Sequence, residues 1–191
     1  MTAGRAHDIH PAGMLALDVA RIEAGLLLID VDFHSSRKAL IESQKYSPYE
    51  MGLGRLVSLD KERFVGQAAL RAEKRRGTPR MIAGLDLDWD ELERLYDAIG
   101  LAPQIPAAAS RVAVPVYKDG RQVGRATSTT WSPTLKKLIA LATVDTPYHH
   151  PGTTLKIEVT VEGVRHQVTA RVVATPLYNP ARKTATPPAM R

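Results

Sequence analysis

The sequence predicts an α+β chain: a mixed helical and irregular front segment followed by a small antiparallel β-barrel. Three observations predict it. Apolar residues recur at helical spacing near the start, at Leu15, Val19 and Ile22. They alternate with a period of two after Arg111, at Val112, Val114 and Val116. A Pro- and Ala-rich stretch, 101–110, separates the two regimes. A period near 3.6 marks a helix with one buried face, and a period of two marks a half-buried strand.

In the front segment, Pro11 near the start and Gly25 at the end bracket a helix over 11–24, because proline suits a first turn and glycine a left-handed stop. The apolar run that follows predicts a strand over 26–31. His34, Ser35, Ser36, Arg37, Lys38, Glu42 and Lys45 make the next stretch a solvated loop or frayed helix. A strand is expected at 55–59 and a helix at 68–76, stopped by Gly77-Thr78-Pro79. Residues 81–87 read as a short strand. Asp88 and Glu91 form a capping box for a helix carrying Leu92, Leu95, Tyr96 and Ile99, with Gly100 as its stop.

Beyond the linker, Asp119-Gly120 and Glu162-Gly163 are hairpin turns, flanked by strands at 122–128, 138–144, 155–161 and 164–174. Five or six short strands with such turns suggest a barrel or sandwich. The expected division is 1–105, 106–178 as the barrel and 179–191 as a flexible Pro-, Lys- and Thr-rich tail.

Composition narrows the function. The chain has 191 residues, 44% of them apolar, enough for a buried core. Its longest apolar run, 25–29, falls far short of the roughly 20 residues that span a bilayer, and no signal-peptide core is visible, so a cytoplasmic protein without membrane contact is expected. There is no cysteine, which excludes disulfides and thiolate-held metal. The formal charge is +6, yet the basic residues are spread and only two Phe and two Trp are available for stacking, so no nucleic-acid partner is expected. The densest basic cluster, Arg71, Lys74, Arg75, Arg76 and Arg80, reads as a solvated face or as a landing site for a glutamate-tailed cofactor or an acidic partner. His149-His150 lies in a Pro-Gly turn rather than at metal-binding helical spacing. Asp32, His34 and Ser35 lack the assembled geometry of a triad. No metal ligand is assigned.

Four ordered motifs carry a family resemblance: Gly13-Met14-Leu15-Ala16-Leu17-Asp18-Val19-Ala20-Arg21-Ile22-Glu23-Ala24-Gly25; Ser47-Pro48-Tyr49-Glu50-Met51-Gly52-Leu53-Gly54; Lys61-Glu62-Arg63-Phe64-Val65-Gly66-Gln67-Ala68-Ala69-Leu70; and Val123-Gly124-Arg125-Ala126-Thr127-Ser128 running on to Ser132-Pro133-Thr134-Leu135. Together they resemble the C-terminal half of the glycine-cleavage T-protein (aminomethyltransferase) family. The resemblance implies that residues up to about 77 are a remnant of a folate-binding α/β domain, that tetrahydrofolate is the cofactor, and that a one-carbon unit passes from a methylated or aminomethylated donor to the pterin. It implies Arg21, Glu23 and Arg182 as folate-binding positions. Thr127–Trp131 and Ser132-Pro133 are expected to shape a turn with their hydroxyls, and Trp131 to pack in the core or line a cofactor entrance.

Two departures shape the expectation. The family's Ala-Arg-Asp triplet reads Ala16-Leu17-Asp18, which puts a lipoyl-bound donor in doubt. The family's Gly-Gly-x-x-Asp-Asp segment lies upstream of the first helix, so no catalytic residue is assigned. The chain is expected to be inactive alone, as a fragment or as a subunit paired with a separate N-terminal half, with a lipoyl carrier protein as a further partner and self-association through exposed apolar surface. Alternatives are a folate-dependent demethylase, the folate-binding part of an amine oxidase or dehydrogenase, and a non-catalytic accessory protein. Against the last, Arg63 stands where the iron–sulfur-assembly relatives carry cysteine.

Overall fold

A computed structural model of the chain describes residues 2–185. The elements in order are α1 (Met14–Glu23), α2 (Gln67–Arg76), β1 (Arg80–Leu87), α3 (Trp89–Asp97), β2 (Val114–Lys118), β3 (Arg121–Ser132), β4 (Lys137–Asp145), β5 (Thr154–Val161) and β6 (Val164–Val173), with short 3₁₀ turns between them. Six strands close into an antiparallel barrel in the order β1-β4-β3-β2-β5-β6. The expected α+β class holds. The part of the expected tail at 186–191 lies outside the described residues.

The barrel forms because alternate residues of every strand can be buried together. Ala83, Leu85 and Leu87 of β1 meet Val116, Val123, Ala126, Ala140, Ala142, Val144, Leu155, Ile157, Ala170 and Val172 in one core. Both hairpins are built as the turn residues dictate. Asp119 and Gly120 have φ of 50° and 77°, and Glu162 and Gly163 have 46° and 79°, the pair of positive values that lets a two-residue turn follow the strand twist. Gly124 is required by close approach: a Cβ there would lie 2.4 Å from the carbonyl oxygen of Thr143.

The barrel reaches back across the 101–110 linker where its boundary was expected. Strand β1 pairs with β4 on one side and β6 on the other. Without it those two strands would be left as open edges, with unpaired backbone groups. The linker therefore connects α3 to β2 within the barrel unit. Helix α3 packs Leu92 and Tyr96 on Val161 and Val168. Only half of the expected capping box forms. Asp88 accepts from the Glu91 amide at 2.9 Å, but the Glu91 carboxylate turns instead to Lys156 Nζ at 2.7 Å and the Thr169 amide at 2.6 Å.

Other expectations are corrected in the front segment. No strand forms at 26–31; the chain turns through Asp30 (φ 63°) and makes an isolated bridge between Ile29 and Phe33. The expected strand at 55–59 is replaced by a 3₁₀ turn, Gly54–Leu56. Both segments lack a neighbouring strand, since the six barrel strands satisfy one another. Helix α1 buries Asp18, Arg21, Ile22 and Glu23, whereas Met14, Leu15 and Leu17 are exposed. Of the expected apolar stripe, only Ile22 is fully buried, against Ile139 and Leu141 of β4. The polar side of α1 faces the barrel because it finds charged and hydroxyl partners there.

Candidate functional site

Those partners are assembled by an irregularity in β3. The pairing of β3 with β4 runs from Ala126 opposite Ala142 to Ser128 opposite Leu141, so Thr127 is an extra residue. A bulge of this kind turns neighbouring side chains that would otherwise alternate. Both hydroxyls consequently reach the same carboxylate: Thr127 Oγ1 and Ser128 Oγ each donate to Asp32 Oδ1 at 2.7 Å. The other Asp32 oxygen accepts from Arg21 Nη1 at 2.6 Å and from the Leu28 amide at 2.8 Å. Asp32 is completely buried, and four donors replace the water it has lost.

Arg21 joins this carboxylate to a second one. Its Nε donates to Asp18 at 2.8 Å and its Nη2 to Ser128 Oγ at 2.8 Å. Asp18 in turn accepts from Arg111 Nε at 2.8 Å. Burial pushes the Asp18 carboxyl up, but the hydrogen bonds and charges of Arg21 and Arg111 outweigh it and hold the group below the ordinary carboxylate range. Two carboxylates and two guanidiniums thus balance in charge. Arg111, whose side chain is 51% exposed, carries the network to the surface.

There it borders a cleft of about 220 Å³, with Met14, Leu17, Leu26 and Leu28 on its walls and Asp18, Arg21 and Arg111 as its charged groups. Apolar walls beside a guanidinium–carboxylate pair suit a flat ring with donors and acceptors along its edge. The volume is below the roughly 300–1,000 Å³ typical of small-molecule sites.

The expected site residues divide. Arg21 and Glu23 both point from α1 to β3. Glu23 accepts from Ser132 Oγ at 2.5 Å, its backbone carbonyl accepts from the Tyr178 amide at 2.8 Å, and Ser132 Oγ also accepts from the Leu135 amide at 3.0 Å. Arg182 is exposed in a 3₁₀ turn, Ala181–Lys183, and is not hydrogen-bonded to either of them. Residues 127–132, expected in a turn, continue β3, and their turn function is confined to Ser132. Trp131 packs edge-on against Trp89, ring centres 5.0 Å apart. His149 and His150 lie together in a turn region, with ring centres 4.2 Å apart. No triad assembles at Asp32, whose oxygens are taken by Arg21, Leu28, Thr127 and Ser128. The sequence marks neither Asp32 nor Arg111 as a binding position, and gives Thr127 and Ser128 only a turn role; Asp32 and Arg111 lie too far along the chain from Arg21 and from the Thr127-Ser128 pair for spacing to link them.

Comparison with known proteins agrees with this architecture. Residues 97–179 match the model of the glycine cleavage T-protein C-terminal barrel domain, a span that leaves out the closing strand β1. An aminomethyltransferase of Halalkalibacterium halodurans is 33% identical over 176 residues, covering 92% of this chain and 40% of the relative. A trimethylamine-oxide aldolase of Ruegeria pomeroyi is 33% identical over 183 residues, covering 94% of this chain and 20% of the relative. The solved structure of glycine cleavage system aminomethyltransferase T from Bartonella henselae superposes with a TM-score of 0.63 at 20% identity, covering 85% of this chain and 38% of that one; it shares the fold. The chain spans about 40% of the length of the aminomethyltransferases it matches. The chain belongs to the glycine-cleavage T-protein (aminomethyltransferase) family and corresponds to its C-terminal part.

Proposed function

We propose that this chain is the C-terminal part of a tetrahydrofolate-dependent aminomethyltransferase, and that it transfers a one-carbon group only together with an N-terminal half. The buried Asp18–Arg21–Asp32 network carries the reading. It locks the helix bearing the family motif onto the barrel and leaves beside it a charged cleft too small for a whole folate. Arg21 and Glu23 act mainly by holding this wall in place, since each is already bonded within the chain. Arg182 is available to reach a bound folate. Residues up to about 77 serve as the rest of the folate-binding region, and the protein works in the cytoplasm.

Calorimetric titration with tetrahydrofolate tests the reading. This chain alone should give no heat, and binding should appear on adding the N-terminal half of a family member. Micromolar binding by the chain alone would overturn the need for a second half.

A second reading is that the whole protein demethylates a small amine, as a demethylase or as the folate-binding part of an amine oxidase. Two points favour it: Leu17, at the edge of the cleft, stands where the family motif that α1 resembles carries arginine, and the trimethylamine-oxide aldolase has the same identity to this chain, 33%, as the aminomethyltransferase. Product analysis of the complemented enzyme with a methylated amine, set against a lipoyl carrier protein charged with an aminomethyl group, separates the two.

A further inference from the structure

A second concavity, of about 1,090 Å³ and open to solvent, lies at the start of α2 and shares no lining residue with the cleft beside Arg21. Arg63, Arg71 and Arg75 line it, with Phe64 and Val65 on its rim. All three arginines are exposed. Among the described residues none of them is ion-paired. Arg71 gives one N–H to the Leu59 carbonyl at 2.7 Å and keeps the others. The helix carboxylate that could neutralise them, Glu73, is engaged by Ser47 Oγ at 2.6 Å. Residues 60–77 hold six cationic side chains against three carboxylates.

The shape and the donors define the ligand. An open concavity of this size exceeds what a single phosphate fills, and it suits an extended, flexible molecule. Guanidinium forks bind carboxylates through two parallel hydrogen bonds. Arg71 and Arg75 stand one helical turn apart, about 6 Å along the axis, so two carboxylates on one chain can be held together. Exposed arginines lose side-chain entropy on binding, which a multiply charged ligand offsets by engaging several at once.

We infer that this concavity binds a short chain of linked carboxylates, namely the glutamate tail of a folate. The assignment rests on the folate reading above, and its test keeps the two apart by using a tail without a pterin. The full chain is titrated at low salt with free γ-linked pentaglutamate, with glutamate, and with an α-linked acidic pentapeptide of equal charge. The Arg63→Gln/Arg75→Gln variant, whose fold is checked by circular dichroism, is titrated in parallel. The expected result is pentaglutamate binding at least tenfold tighter than glutamate, weakened at least tenfold in the variant and by added salt. Equal binding of glutamate and pentaglutamate, unchanged binding in the variant, or tighter binding of the α-linked peptide overturns the assignment. Failure of one-glutamate tetrahydrofolate to bind the complemented protein would overturn the folate reading and leave the pentaglutamate result standing.

Discussion

Asp32 and Ser128, 96 positions apart, are joined by a 2.7 Å hydrogen bond at the centre of a buried charge network that links the front segment to the barrel. Ser128 also accepts from Arg21, so one hydroxyl touches both members of an ion pair. The bulge at Thr127 makes this possible.

Removing the Asp32 carboxylate leaves the Arg21 guanidinium buried with one counter-charge lost. Asp32→Ala should destabilise the chain by about 3–5 kcal/mol, the usual result of breaking a buried pair from one side. Urea denaturation measures it. A loss below about 1 kcal/mol would mean that the front segment is held elsewhere.

The two hydroxyls should be worth less than the carboxylate. Thr127→Val and Ser128→Ala each remove one donor to Asp32 and should cost about 1–3 kcal/mol. A double-mutant cycle should show that their effects are not additive, because both act on Oδ1 of the same residue. Additive losses would count against a shared network.

Gly124→Ala tests the close passage of β3 over β4. The added methyl would lie 2.4 Å from the Thr143 carbonyl oxygen and 2.9 Å from the Val144 Cα, both backbone groups held in the barrel. Overpacking of this kind costs about 1–3 kcal/mol or more. A melting temperature equal to wild type would show that the strands separate freely there.

Stability should fall at acid pH partly through Glu91. Burial raises its pKa, but Lys156 and Thr169 outweigh burial and bring it from 4.5 to about 2. A carboxyl depressed in the folded state contributes stability above its unfolded value, and that contribution is lost as pH falls toward the folded value. The melting temperature of wild type should therefore exceed that of Glu91→Gln above pH 4.5, and the gap should shrink between pH 4.5 and about 2. A gap independent of pH would refute the ion pair as its source.

The exposed apolar residues of α1 and the segment after it predict self-association of the isolated chain. Met14, Leu15, Leu17 and Leu26 are all more than half exposed, and contiguous apolar surface of this sort favours contact with other chains. Leu15→Glu/Leu26→Glu should shift sedimentation toward monomer with little change in melting temperature, as both side chains are exposed. A wild-type monomer at all concentrations would remove the prediction.

The strands after the linker, both hairpin turns, α2 and the end of α3 were legible because their signals are local. Asp119-Gly120 and Glu162-Gly163 favour a two-residue hairpin turn, and alternation over 155–161 leaves one inward face. The family motifs located α1 and its Arg21 and Glu23. Tertiary structure decided the rest. Residues 81–87 read as a strand, but only the open edges of β4 and β6 make them the one that closes the barrel. Apolar runs at 26–31 and 55–59 had strand composition and no partner to pair with. The polar face of α1 turned inward because Asp32, Thr127 and Ser128, remote in sequence, met Arg21 in the buried interior, where a charge is stable only when other charges and donors surround it.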